Sequence, residues 1–148
     1  MHASDARIAR LYTTETGGNV QDSTPNAPAT GLQPPATTFD LVLEGEAGVN
    51  LGASGVNYTL SIVAYDVTTG DNAPALDPTS PTLPNQEFNA GKPNPLWKAS
   101  GTDFITEQRF AINVPAAVKK HTISYTASLV SDDGQIVSFL QSEPFILL

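Results

Sequence analysis

His121-Thr-Ile-Ser-Tyr-Thr-Ala-Ser-Leu-Val130 is the stretch that decides the fold. Ile123, Tyr125, Ala127 and Leu129 fall on one side of it, and Thr122, Ser124, Thr126 and Ser128 on the other. A strand sends successive side chains to opposite faces, so this rhythm predicts a sheet with one dry face and one wet face. Both neighbours alternate as well: Phe110-Ala-Ile-Asn-Val114 before it and Gln135-Ile-Val-Ser-Phe-Leu140 after it. Between the second and third segments, Asp132-Asp133-Gly134 supplies a turn, because glycine tolerates the positive φ that a hairpin or a bulge requires. Ser142 to Leu148 adds a final strand. Pro144 lacks the N–H that a ladder needs, which places that strand at a sheet edge or at a bulge. The class is antiparallel β.

Toward the N-terminus the same pattern continues. Phe39, Leu41 and Leu43 alternate with Asp40, Val42 and Glu44. Tyr58 to Val67 carries Leu60, Ile62 and Ala64 on one face and Val63, Tyr65 and Val67 on the other. Apolar residues on both faces predict a central strand, or one covered on its outer side. The glycine-marked run Gly45 to Gly55 reads as a connection, and Thr68 to Asn72 as a turn. Residues 71 to 96 are rich in proline and read as a surface excursion. Phe104-Ile105 begins a short strand, and Pro115 to Lys120 suits a single helical turn. Ala6 to Tyr12 reads as a first strand or a short helix. Residues 13 to 37 hold four prolines and three glycines and read as a long loop or flexible tether. The expected division is therefore 1–37, strand and tether, and 38–148, the sandwich domain. About seven strands separated by turn signals predict an all-β, antiparallel two-sheet sandwich.

The closing run resembles the last strands of immunoglobulin-like and fibronectin type III-like domains. The residues that carry the resemblance are Phe110-x-Ile112-x-Val114-Pro115, Ile123-x-Tyr125-x-Ala127-x-Leu129, Asp132-Asp133-Gly134 and Ser142-Glu-Pro-Phe-Ile146. The resemblance covers a quarter of the chain and implies an architecture without implying an activity. Three features depart from the pattern. No cysteine pair joins the sheets, Trp97 follows a proline-rich loop, and Tyr125 lies farther past Pro115 than a tyrosine corner would place it.

At 148 residues the chain suits one domain with a core of its own. Its net charge of −8 argues against a nucleic-acid backbone or an anionic membrane as partner, since both call for clustered Lys and Arg. With no cysteine there is no disulfide, no thiolate nucleophile and no thiolate metal site. No apolar run approaches the ~20 residues of a membrane-spanning helix, and Met1 to Arg7 lacks the apolar stretch of a signal peptide. A soluble chain without membrane insertion is expected.

Little in the sequence points to catalysis. The two histidines, His2 and His121, have no nucleophile-elbow serine motif to serve and are too few for a histidine metal site. Asp66, Asp71, Asn72 and Asp77 offer oxygens to a calcium ion, but without EF-hand spacing they read as turn residues. No metal and no cofactor are expected, and the chain is read as non-catalytic. The expected function is protein–protein contact or self-assembly, by pairing through an exposed sheet edge. The first strand and the last are the candidate edges, with Ile8, Leu11, Phe145 and Leu147 as interface residues. The second reading is a glycan-binding module that stacks sugars on Trp97, Tyr58 and Tyr65. Against it stands the reading that Trp97 plugs the open end of the sandwich.

Overall fold

The structure is a computed structural model and describes residues 1–148. Ten strands form two antiparallel sheets: β1 (Ala6–Thr14), β2 (Thr38–Ala47), β3 (Asn57–Asp66), β4 (Asp71–Asn72), β5 (Thr82–Glu87), β6 (Lys98–Ser100), β7 (Asp103–Asn113), β8 (Thr122–Ser131), β9 (Val137–Gln141) and β10 (Phe145–Ile146). The four-stranded sheet runs β1-β2-β7-β6. In the six-stranded sheet β3 and β8 pair at the centre, β4 and β5 lie along the far side of β3, and β9 and β10 along the far side of β8. The two-sheet sandwich read from the sequence is the fold observed. No helix is long and apolar enough to cross a membrane.

The alternation works as it reads. Ile123, Tyr125, Ala127 and Leu129 of β8 lie buried opposite Phe39, Leu41 and Leu43 of β2 in one core. A 3-10 turn, Ala116–Val118, sits where the proline-led run predicts one, and a second spans Pro74–Leu76. Pro144 falls between β9 and β10 and breaks the outer strand in two, as a residue without an N–H must.

Three segments differ from the sequence reading. Phe104-Ile105 and Phe110–Asn113 are parts of one eleven-residue strand, β7. The charged and polar residues between them alternate on a face that the apolar pattern does not mark. The proline-rich stretch 71–96 is more than surface. It contains β5, and its Leu76 and Phe88 are fully buried. Pro84 is accommodated there because the β3–β5 register shifts between Tyr58 and Leu60, at a bulge that demands no ladder N–H.

Residues 13–37, finally, are not a free tether. They form no regular element, but Asn26 is fully buried, and its side chain donates to Leu148 O at 2.9 Å and accepts from Leu148 N–H at 3.0 Å. β1 pairs along its length with β2 of the same chain, so the boundary at 37/38 does not divide the fold. A buried amide with its hydrogen bonds made is a fixed point that composition cannot show.

Candidate interaction surface

Trp97 closes one end of the core. Its indole meets Phe88 at 5.0 Å between ring centres and stands edge-on to Tyr58 at 6.2 Å. Its Nε1–H donates to the Tyr58 hydroxyl at 3.2 Å. Gly45 makes room for the ring: a Cβ there would lie 2.9 Å from the indole. Trp97 is 0% exposed and Tyr58 1%, so neither presents a face to a sugar. Burial drives the Tyr58 pKa up, against the hydrogen bonds from Trp97 and Gln108. Of the three aromatic residues singled out, only Tyr65 is open to solvent. The plug reading of Trp97 matches its position, because an indole buried with its N–H paired belongs to the core.

The four interface candidates are buried as well. Ile8 and Leu11 of β1, Phe145 of β10 and Leu147 beyond it belong to the core. Tyr125 stacks on Phe145 at 5.7 Å and donates its hydroxyl to Leu76 O at 2.6 Å. The edges of these strands are occupied within the molecule. Ile8 N–H donates to Ser138 Oγ of β9 at 2.9 Å. Asp22 N–H donates to Thr13 O at 2.8 Å, and the Thr13 hydroxyl donates back to Asp22 O at 3.0 Å. One residue on, Ser23 O accepts Ile146 N–H at 2.8 Å. Residues 22–26 thus link the edge of β1 to the edge of β10 by hydrogen bonds within the molecule.

The open edge lies elsewhere. β6 pairs β7 only across Asp103–Ile105, so residues 106–113 have a strand on their β2 side and none on the other. The β6–β7 hairpin closes on Ser100 and Asp103, and by alternation the backbones of Glu107, Arg109, Ala111 and Asn113 turn outward. All four residues are exposed. The register of this segment against β2 runs without a shift, and it holds no proline. Beside it lies a groove of about 400 Å³, lined by Thr79, Ser80, Leu83, Arg109, Phe110 and Ala111. Neither Ala111 nor Arg109 has an apolar or catalytic pattern to mark it in the sequence. The one signal is length, because β7 outruns its β6 partner.

His121 is the one histidine with a carboxylate partner. Its Nδ1 lies 2.6 Å from Asp66 Oδ2. Burial works to raise the Asp66 pKa, but hydrogen bonds from His121 and from the Thr69 and Thr68 N–H groups outweigh it and hold the carboxyl below its usual value. The pair joins the end of β3 to the start of β8. No hydroxyl nucleophile is bonded to the imidazole, so the geometry is that of a strand-end tie.

No protein-family model matches the chain, and no curated protein matches it. Among solved structures it is similar to a DUF4466 family protein from Parabacteroides merdae ATCC 43184, with 9% identity and a TM-score of 0.44. The match covers 98% of this chain and 45% of that one, so this chain spans less than half of that protein's length.

Proposed function

We propose that the chain is a non-catalytic β-sandwich module for protein–protein contact or assembly, and that it accepts a further strand along residues 106–113 of β7. The observation that carries this reading is the contrast among edges. β1 and β10 are laced shut, β5 bears Pro84 and a bulge, and β6 is only three residues long. Only β7 offers a long, regular, proline-free run of outward N–H and C=O groups, the kind of edge that natural sheets otherwise blunt. An added strand gains main-chain hydrogen bonds there, and the adjoining groove gives one of its side chains a place to lie. The immunoglobulin-like reading goes with this proposal. It draws support from the strand orders, which read A-B-E-D and G-F-C in immunoglobulin lettering if β7 is E, β8 is F and β9 with β10 is G.

Ala111→Pro tests the proposal. The Ala111 N–H faces solvent, so proline there removes an edge donor without taking a bond from the β2–β7 ladder. The expected result is a protein that melts within a few degrees of wild type and loses a partner that the wild type retains in parallel pull-downs and cross-linking. Equal capture by both proteins through another surface would overturn the edge mechanism.

A further inference from the structure

We infer that the outer face of the six-stranded sheet is a self-association surface, on which a second copy of this chain packs face to face. This surface is separate from the β7 edge. β3 has apolar side chains on both faces. It is central in its sheet, yet its outer side chains have no cover within the molecule: Val63 is 46% exposed and Tyr65 39%. The same face carries Phe139 at 70% exposure, with Val137 and Val130 beside it. Across β3, β8 and β9 the outward positions are filled by Thr, Ser, Asn, Gln, Val, Tyr and Phe. None is charged.

Charge selects the occupant. The chain carries a net −8, so two copies repel over most approaches. The outer positions of β3, β8 and β9 carry no charge, so repulsion is weakest there, and the carboxylate of Glu87 on the flanking β5 is already paired with Lys92. The layout of the face also complements itself. Ser128 sits opposite Phe139 and Val130 opposite Val137, which gathers Phe139, Val137 and Val130 at one corner. Val63 sits opposite Thr126 and Tyr65 opposite Ser124, which places a second apolar group toward the opposite corner. A two-fold axis in the plane of the face, passing between Thr126 and Ser128, lays each apolar group on the other group of the partner copy. That is an isologous contact.

The size is sufficient. The ten-residue strands β3 and β8 are flanked by β9 of five residues and β5 of six, so at ~4.8 Å spacing and ~3.3 Å per residue the face measures about 500 Å². Two such faces together cover about 1,000 Å², the threshold for a specific interface and above ordinary lattice contacts.

Sedimentation equilibrium on the full chain tests this. Wild type is expected to form a reversible dimer. Phe139→Lys and Val63→Lys, both at exposed sites, are each expected to weaken it at least about tenfold, with thermal melts unchanged. Mixing Phe139→Lys with Val63→Asp sets opposite charges at one contact and leaves the native pair at the other, so a heterodimer should form where neither variant pairs with itself. Association should also tighten as salt rises from about 0.01 to about 0.15 M, because the Debye length falls from ~30 to ~8 Å and screens the net charge. A wild type that stays monomeric overturns the inference, including one that instead binds a polysaccharide panel through Tyr65. So does a dimer that Ala111→Pro abolishes and Phe139→Lys does not, which would assign self-association to the β7 edge. Loss of the heterologous partner in Ala111→Pro with the dimer intact would leave both readings standing.

Discussion

The two outer faces of the sandwich are built on the same strand geometry and finished in opposite ways. The four-stranded sheet carries all three arginines of the chain in a ladder with acidic partners. Arg7 meets Glu46 at 2.8 Å and Arg10 meets Glu44 at 3.4 Å, while Arg109 reaches Asp40 and Glu107, each at 3.1 Å. Arg10 also lies over the Tyr12 ring at 4.3 Å. Beneath these long side chains Val42 and Tyr12 are sealed from water although they point outward, because arginine stems cover apolar surface while their charged ends stay wet. The six-stranded sheet has no such ladder and leaves its apolar side chains bare. One face covers its apolar side chains, and the other leaves them exposed. Interleaved charge is also a guard against unwanted stacking, and its absence from one face alone is what the proposed self-association rests on.

The contrast holds only if the core between the faces is independent of both. Trp97→Ala should give the largest loss, about 3–5 kcal/mol in denaturant unfolding. It deletes a fully buried ring and removes one of the hydrogen bonds of the Tyr58 hydroxyl. Affinity for any partner, measured on the fraction that stays folded, should not change. A Trp97→Ala protein of native stability that had lost a ligand would restore the glycan platform and break the comparison.

A smaller effect tests whether the six-stranded sheet keeps its charge at the margin. Asp66, at the end of β3, is buried and holds His121 and two backbone N–H groups. Asp66→Asn should cost about 1–2 kcal/mol at neutral pH. The sign with pH follows from the carboxyl's lowered pKa. Its contribution is complete above the unfolded value of about 3.9 and fades as pH falls through the lower folded value. Acid unfolding followed below about pH 4 should therefore be shallower in Asp66→Asn than in wild type. On the opposite face, Arg109→Ala should cost only about 0.5–1 kcal/mol, and less in high salt, because its pairs are partly exposed. A larger loss there would mean that the ladder supports the fold as well as guarding it.

What could be read in the chain beforehand divides along similar lines. Period-two alternation is local, so β8, β2 and β3 are visible in it, and so is the two-layer architecture that they require. Val63, Tyr65 and Val67 were visible too, as apolar residues on the second face of β3. The sequence does not say whether another layer covers them, because that depends on what lies across the sheet. Which edges have partners within the molecule is not legible for the same reason. Ile8 and Phe145 look terminal in sequence, but the lacing by Asp22, Ser23 and Asn26 is made by side chains and backbone far from them along the chain. Trp97 follows a proline-rich run, and only the fold shows that Phe88 and Gly45 shape a slot for it.

The smallest expected effect separates the two faces most cleanly. Phe139→Thr replaces the most exposed aromatic ring of the six-stranded sheet with a side chain common on its outer positions. At low protein concentration its melting free energy should stay within about 0.5 kcal/mol of wild type, because little of the ring is buried in the monomer. At high concentration the two should diverge, since only the wild type gains stability by mass action from a neighbour on that face. A thermal melt repeated across a concentration series therefore isolates the contact from the fold. If Phe139→Thr lowers stability by the same amount at every concentration, the ring supports its own sheet, and the bare face has no call on a second copy.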